Sequence, residues 1–215
     1  MTESTHGIIL RTRPLTETSL IVQWLTPNLG RISTVVKGAR RTKSPFHGKL
    51  DLFYAADFSF TRSQRSELHT LREASLKETH AAIREDILKL QQASYAAAFI
   101  EQATESESPI LEIFDLMRGF LKHLCEHPAE PRTVFAMELK LLRELGLEPD
   151  AEEMRLTPGS KKMAEALLNG DWSSTLRMKL SDAQSGELRQ FLHGFLIFHL
   201  GRLPRGRASA VGGVH

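Results

Sequence analysis

Two groups of residues in this sequence have types and spacings that suit chemistry, and they suit different kinds. The first is His123-Leu124-Cys125-Glu126-His127. It fits the H-x-x-E-H pattern, in which two histidines four apart on a helix hold one metal and the glutamate serves as base. Pro128 follows at once, so the helix frays at the second ligand, and no third ligand stands on an evident partner helix. Leu124 belongs to an apolar stripe, and a histidine at a helix C-terminus complements the dipole. The segment therefore reads as a helix end. A metal hydrolase built on His123 and His127 is the competing reading, which stoichiometric bound zinc would revive. His6, His47, His69, His80, His193 and His199 have no ligand spacing, and Cys125 reads as a small core residue. Glu152-Glu153 falls in a loop without the apolar surroundings that raise a carboxyl pKa. No phosphate loop or nucleophile elbow occurs. The expectation is a protein with no catalytic group, cofactor or metal, and not an enzyme.

The second group is a run of cations. From Asn28 to Leu50 there is no Asp or Glu, while Arg31, Lys37, Arg40, Arg41, Lys43 and Lys49 all fall inside. Gly38, Ser44, Pro45 and Gly48 make its second half a loop. A phosphodiester chain needs positive charge along its path and flexible presentation, and such a loop supplies both. Phe46 within it, and Phe53 just after, are candidates to stack a base; each also suits packing. Arg11 and Arg13, on the outward face of a first strand, extend the patch. Such a patch does not by itself separate single from double strands, or DNA from RNA. The net charge of +2 hides this asymmetry: residues 1–80 hold twelve Lys and Arg against seven Asp and Glu, and residues 81–215 hold sixteen against nineteen. The first third is the part that attracts a polyanion.

The elements that carry these residues change character near residue 79. Before it, short strands are predicted at Ile8–Leu10, Leu20–Leu25, Ile32–Val36, Leu50–Phe60 and Leu68–Leu76. Leu50, Leu52, Tyr54, Ala56, Phe58 and Phe60 alternate with the other set, which includes Phe53, so the first set is expected inside. Five strands in so short a stretch suggest an OB-fold barrel. After it, helices are predicted: one with a stripe at Ile83, Ile87, Leu90, Ser94, Ala97 and Ala98; one opened by Ser108-Pro109; one from Pro131 to near Gly146; Pro158–Leu168; and Asp182–Leu200, with Leu188, Phe191, Leu192, Phe195 and Phe198 buried. The Gly-rich end is expected to be disordered. The fold class is thus α+β, with an OB-fold nucleic-acid-binding domain at 1–78, an all-α helical domain at 79–205 and a disordered tail at 206–215. The absence of an apolar run or signal-peptide core predicts a cytoplasmic protein with no membrane contact.

Gly7-Ile8-Ile9-Leu10-Arg11-Thr12-Arg13 and Glu17-Thr18-Ser19-Leu20-Ile21-Val22 look like the N-terminus of RecO, the bacterial recombination mediator family. Leu25-Thr26-Pro27, Gly30-Arg31 and Val36-Lys37-Gly38-Ala39-Arg40-Arg41-Thr42-Lys43-Ser44 are similar to its hallmark. Gly48-Lys49-Leu50 and Leu68-His69-Thr70-Leu71-Arg72-Glu73-Ala74 continue it in order. Glu138-Leu139-Lys140-Leu141-Leu142-Arg143-Glu144-Leu145-Gly146 resembles its helical-domain signature, and Phe198-His199-Leu200-Gly201-Arg202 its C-terminal helix end.

The resemblance implies DNA repair and recombination: binding of single- and double-stranded DNA, annealing of complementary strands, cooperation with RecR, and loading of RecA onto strands coated by single-strand binding protein, within the nucleoid. It also implies contact between the helical domain and the acidic C-terminal tail of that coating protein. Candidates for that contact are Arg132, Lys140 and Arg143 beside Phe135 and Leu139, where cations would rim an apolar slot. One departure stands out. Many members carry a four-cysteine zinc insertion after the position of Gly146 to Asp150; here Asp150-Ala151-Glu152-Glu153 runs almost directly into Leu156-Thr157-Pro158-Gly159. Zinc is not expected, and RecR contact through that insertion is in doubt. The alternative is a protein-interaction adaptor with only secondary DNA contact.

Overall fold

A computed structural model describes residues 2–150, 152 and 154–212. Ala151 and Glu153, and with Glu153 the carboxylate pair noted above, lie outside the described residues. The chain begins with five strands: β1 (Thr2–Pro14), β2 (Leu20–Thr26), β3 (Gly30–Val36), β4 (Ala55–Thr61) and β5 (Leu68–Glu78). They close into a barrel in the order β1-β2-β3-β5-β4, with β3 and β5 parallel and every other pair antiparallel. This is the OB-fold arrangement expected from the strand count.

Closure depends on β1. Its first half pairs with β4 and its second half with β2, and Ile8 is opposite both Ala55 and Leu25. A bulge between Ile9 and Arg11 bends the strand there. Gly7, two residues before the bulge, is packed so closely that a Cβ would lie 2.8 Å from the Leu25 carbonyl oxygen. The interior is apolar: Ile9, Val22, Trp24, Ile32, Val36, Phe58, Phe60 and Leu71 are buried together. Trp24 stacks on Phe58 at 4.0 Å, and its Nε1 donates to Thr34 Oγ1 at 2.9 Å, so its one polar atom is satisfied.

The alternation read from Leu50 onward holds only from Ala55. Residues 51–54 form a turn in which Tyr54 N donates to Asp51 O at 3.2 Å. Phe53 takes φ +64° there and is 1 % exposed, not outward as predicted. Its amide donates to Ile9 O at 2.8 Å, which fixes the inward orientation. Parity along a strand carries no information once a turn interrupts the period.

The helices are α1 (Ile87–Ala103), α2 (Leu111–Glu126), α3 (Pro131–Glu144), α4 (Pro158–Asn169), α5 (Trp172–Arg177), α6 (Asp182–Leu200) and α7 (Arg207–Ala210). The α1 stripe differs from expectation. Ile87 and Ser94 are exposed, while Ile83 and Ala97 are buried as expected and Gln92, Ala93, Tyr95, Ala96, Phe99 and Ile100 are buried with them, so the inner face is turned from the predicted stripe. Nor does Ser108-Pro109 open α2, which begins at Leu111. Phe198 is 82 % exposed, contrary to the predicted burial, whereas Leu188, Leu192, Phe195 and Leu196 line the inner face of α6.

The expected disordered tail is also corrected over Arg207–Ala210, which is helical; residues 213–215 lie outside the described residues. Arg207 is buried and donates from Nε and Nη2 to the two Glu138 oxygens at 2.6 and 3.0 Å, while Tyr95 Oη donates to Glu138 Oε1 at 2.5 Å. Composition near a terminus does not reveal such an anchor.

The chain divides into two compact units, Met1–His80 with Thr104–Arg118, and Ala81–Ala103 with Gly119–His215. In the first unit, residues 104–108 lie against the start of β3, outside the five-stranded barrel. Ser106 bridges to Arg31 beside the start of β3, and Glu107 N donates to Arg31 O at 2.8 Å. Gly30, at φ +65°, lies so close that a Cβ would meet the Ser108 carbonyl oxygen at 2.4 Å.

Candidate nucleic-acid interface

The segment between β3 and β4 is a succession of tight turns. Backbone amides of Ala39, Arg41, Ser44, His47 and Lys49 donate to the carbonyls of Val36, Gly38, Arg41, Ser44 and Phe46, three residues back in each case. Gly38 and Gly48 supply φ near +70° within it. Apolar residues pin this loop to the barrel: Ala39 belongs to the core, and Phe46, Leu50 and Tyr54 are half-buried against it. A further tie runs from Arg40 N to Thr18 O at 3.0 Å, in the β1–β2 connection. The loop is thus held at several points while its cations face water.

Lys37, Arg40, Arg41 and Lys43 are exposed, and Lys49 is half-exposed. Asp51, at the far end of the loop, is its first carboxylate. Strand register adds Arg13 to the same end of the barrel, because Pro14 is opposite Leu20, and Leu20 opposite Val36, immediately before Lys37. Arg13 and Arg11 are both exposed, with Arg11 one turn of pleat further along β1. Arg31 is placed differently. Its Nε donates to Thr104 Oγ1 at 2.7 Å and its Nη2 to Thr104 O at 2.5 Å, so it ties residues 104–108 to the barrel.

Acidic side chains near the barrel are partly neutralised. Glu3 and Glu107 both hold Arg62, whose hydrogen bond lowers the Glu3 pKa; the two carboxylates raise that of Arg62 in return. Asp57 pairs with Lys77 at 2.8 Å.

Phe46 also lines a cleft of about 690 Å³ beside the loop, together with Lys49, Arg72, Asp57, Glu73 and His6. Arg72, Glu73 and His6 escaped the sequence reading, since nothing in the alternation of β5 or β1 marks a cleft-facing residue. The signal that was available is their place on strands adjoining the basic loop.

In the second unit, the candidates for a peptide slot do not form one. Phe135 and Leu139 are 0 % exposed, so neither is open to a partner. Lys140 is buried and donates to Leu168 O at 2.8 Å and to Gly170 O, at the end of α4. Desolvation by burial, with nearby Arg143, pulls its pKa down to about 8. Arg143 Nη1 donates to Leu168 O at 3.2 Å, and Arg132 Nη1 to Met178 O at 2.5 Å. These three cations stop the carbonyl-rich ends of α4 and α5. Charged residues at regular intervals made α3 read as amphipathic, whereas Thr133 to Leu142 are all buried.

His123 is buried, its ring centroid 4.9 Å from that of His127 and 5.5 Å from that of Trp172. Burial lowers its pKa to about 4. Among the described residues, no three His, Cys, Asp or Glu side chains are grouped to hold a metal. No helix among them is long and apolar enough to cross a membrane.

Comparison with known proteins bears on both units. Residues 1–80 match the family described as Recombination protein O N terminal, and residues 84–154 match Recombination protein O C terminal. A DNA repair protein RecO of Rhodopirellula baltica is 33 % identical over 143 residues, 66 % of this chain and 53 % of that protein. The one from Bacillus pumilus is 30 % identical over 148 residues, 69 % of this chain and 57 % of its own. For both, the match spans little more than half of the relative's length. A DNA repair protein RecO of Alkaliphilus metalliredigens is 25 % identical over 233 residues, covering 93 % of this chain and 94 % of that protein.

Proposed function

The chain belongs to the RecO family of DNA repair proteins, and from that premise we propose that its barrel binds single- and double-stranded DNA and promotes annealing without making or breaking a bond. The observation that carries this reading is the β3–β4 loop, with exposed Lys37, Arg40, Arg41 and Lys43 and no carboxylate among them. Two complementary strands repel through their phosphates. Cations that neutralise those phosphates remove the repulsion and concentrate both strands on one surface, and base pairing then releases the free energy. Arg13, and Arg11 behind it, extend the path along β1.

The family also supports a role with RecR in loading RecA onto strands coated by single-strand binding protein, and contact with that protein's C-terminal tail. Burial of Phe135 and Leu139 moves any such tail contact away from them. Arg132, Lys140 and Arg143 remain candidates only through atoms not already donating to helix ends.

The test is a mobility-shift and strand-annealing assay with no partner protein, using wild type and the combined variant Arg40→Glu, Arg41→Glu, Lys43→Glu. Loss of binding and annealing with an unchanged melting temperature is expected. Undiminished binding by the variant rules out the loop. No binding by the wild type at low salt favours an adaptor working through protein contacts.

A further inference from the structure

The cleft beside the basic loop has features that a phosphate-binding groove lacks. Its volume, about 690 Å³, lies in the range of sites that enclose a small organic group. Two carboxylates, Asp57 and Glu73, line it, and both are exposed. A backbone phosphate placed between them would be repelled. The cations Lys49 and Arg72 line the same cleft, and Arg72 is steadied by donating from Nε to Thr61 Oγ1 at 2.7 Å. Phe46 contributes an aromatic ring. Cations suit the phosphates of an entering nucleotide, the ring suits a base face, and the carboxylates suit a base edge rich in donors.

The two carboxylates differ. Asp57 is paired with Lys77, whereas Glu73 has no ion pair among the described residues. Strand register sets Glu73 opposite Ser59, and Asp57 opposite Ser75, so each carboxylate is flanked by a hydroxyl and not by an apolar wall. A carboxylate has two acceptor oxygens and no donor. Among the four DNA bases, guanine alone offers an adjacent N1–H and N2–H pair to match both oxygens at once. Thymine presents its single N–H between two carbonyls, which a carboxylate repels.

We propose that this cleft receives one unstacked guanine of a single strand, with Phe46 on its face, Glu73 accepting from its Watson–Crick edge, and Lys49 and Arg72 on the flanking phosphates. The inference rests on the DNA-binding reading above and deepens it. The loop supplies attraction indifferent to sequence, and the cleft adds a preference for one base.

Fluorescence anisotropy tests it, with oligothymidylate, the same oligomer carrying one central guanine, and the same carrying hypoxanthine, which lacks the 2-amino group. The guanine oligomer is expected to bind about tenfold more tightly than oligothymidylate, the order of one added base contact, with hypoxanthine between them. Glu73→Gln, which removes a carboxylate oxygen acceptor, should erase the difference among the three while leaving oligothymidylate bound. Phe46→Leu keeps an apolar group against the barrel and removes the ring; it should weaken guanine binding more than oligothymidylate binding. Equal affinity for all three oligomers in wild type, or a guanine preference that survives in Glu73→Gln, overturns the cleft assignment and leaves the DNA-binding reading standing. Failure of every oligomer to bind overturns that reading instead. Saturation by dGMP with no guanine effect in the strand assigns the cleft to a free nucleotide and also overturns the inference.

Discussion

Individual side chains set two measurable properties of the second unit. Glu138 is 0 % exposed and is held by Arg207 and Tyr95. Removing one partner strands a charge in a medium that solvates it poorly. Arg207→Ala is therefore expected to cost about 3–5 kcal/mol in urea unfolding. His123 supplies a pH signature. Its folded pKa of about 4 lies below the ordinary histidine value of 6.5, because burial disfavours the imidazolium. The unfolded state then binds more protons between those values, so stability present above pH 6.5 is lost as pH falls toward 4. A His123→Phe variant should show a flatter decline across that window when ΔG is followed by denaturant titration. None of these partnerships was legible in the sequence. Glu138 and Arg207 are far apart along the chain, and a buried ion pair has no local pattern. Phe53 illustrates the same limit: its type fitted a base-stacking role, but a single left-handed residue turned it inward.

Elements were read far better than residues. All five strands, and helices at 131–144, 158–169 and 182–200, follow from periods of two and 3.6 with Pro and Gly at their ends. The basic loop was legible too, since lack of acid over a whole connection is a property of composition, not of contacts. Helix α5, six residues long, was missed because so short an element shows less than two full periods. Caps can be tested directly. Ser181 accepts from Gln184 N at 3.2 Å while Gln184 Oε1 accepts from Ser181 N at 3.0 Å, a reciprocal pair at the start of α6. Ser181→Ala is expected to lower thermal stability by about 1 kcal/mol. At the C-terminal end of α4, Lys140→Met keeps the side chain's bulk but leaves the carbonyl of Gly170 without its side-chain donor and that of Leu168 with Arg143 alone. A loss of about 1–3 kcal/mol in urea unfolding is expected.

For the molecule as a whole, a bland net charge of +2 conceals a polarised distribution, and polarity of charge is what a salt titration reads. If Lys37, Arg40, Arg41, Lys43 and Lys49 each engage one phosphate of a single strand, log K should fall against log salt with a slope of about −3.5. Arg31, already tied to Thr104, is not counted. The slope should become shallower by about 0.7 for each loop cation changed to Ala. A finer consequence lies in the short segment at 104–108 that lies against Arg31 and reaches Arg62 through Glu107. The rim of β3 is covered by sequence downstream of an entire helix, so the first unit is not a cassette that ends at His80. A fragment cut there would bare the rim of β3 and leave Arg62 with Glu3 alone, inviting edge-to-edge association. Exchange of the N-terminal barrel between relatives would then succeed only when this downstream strip travels with it.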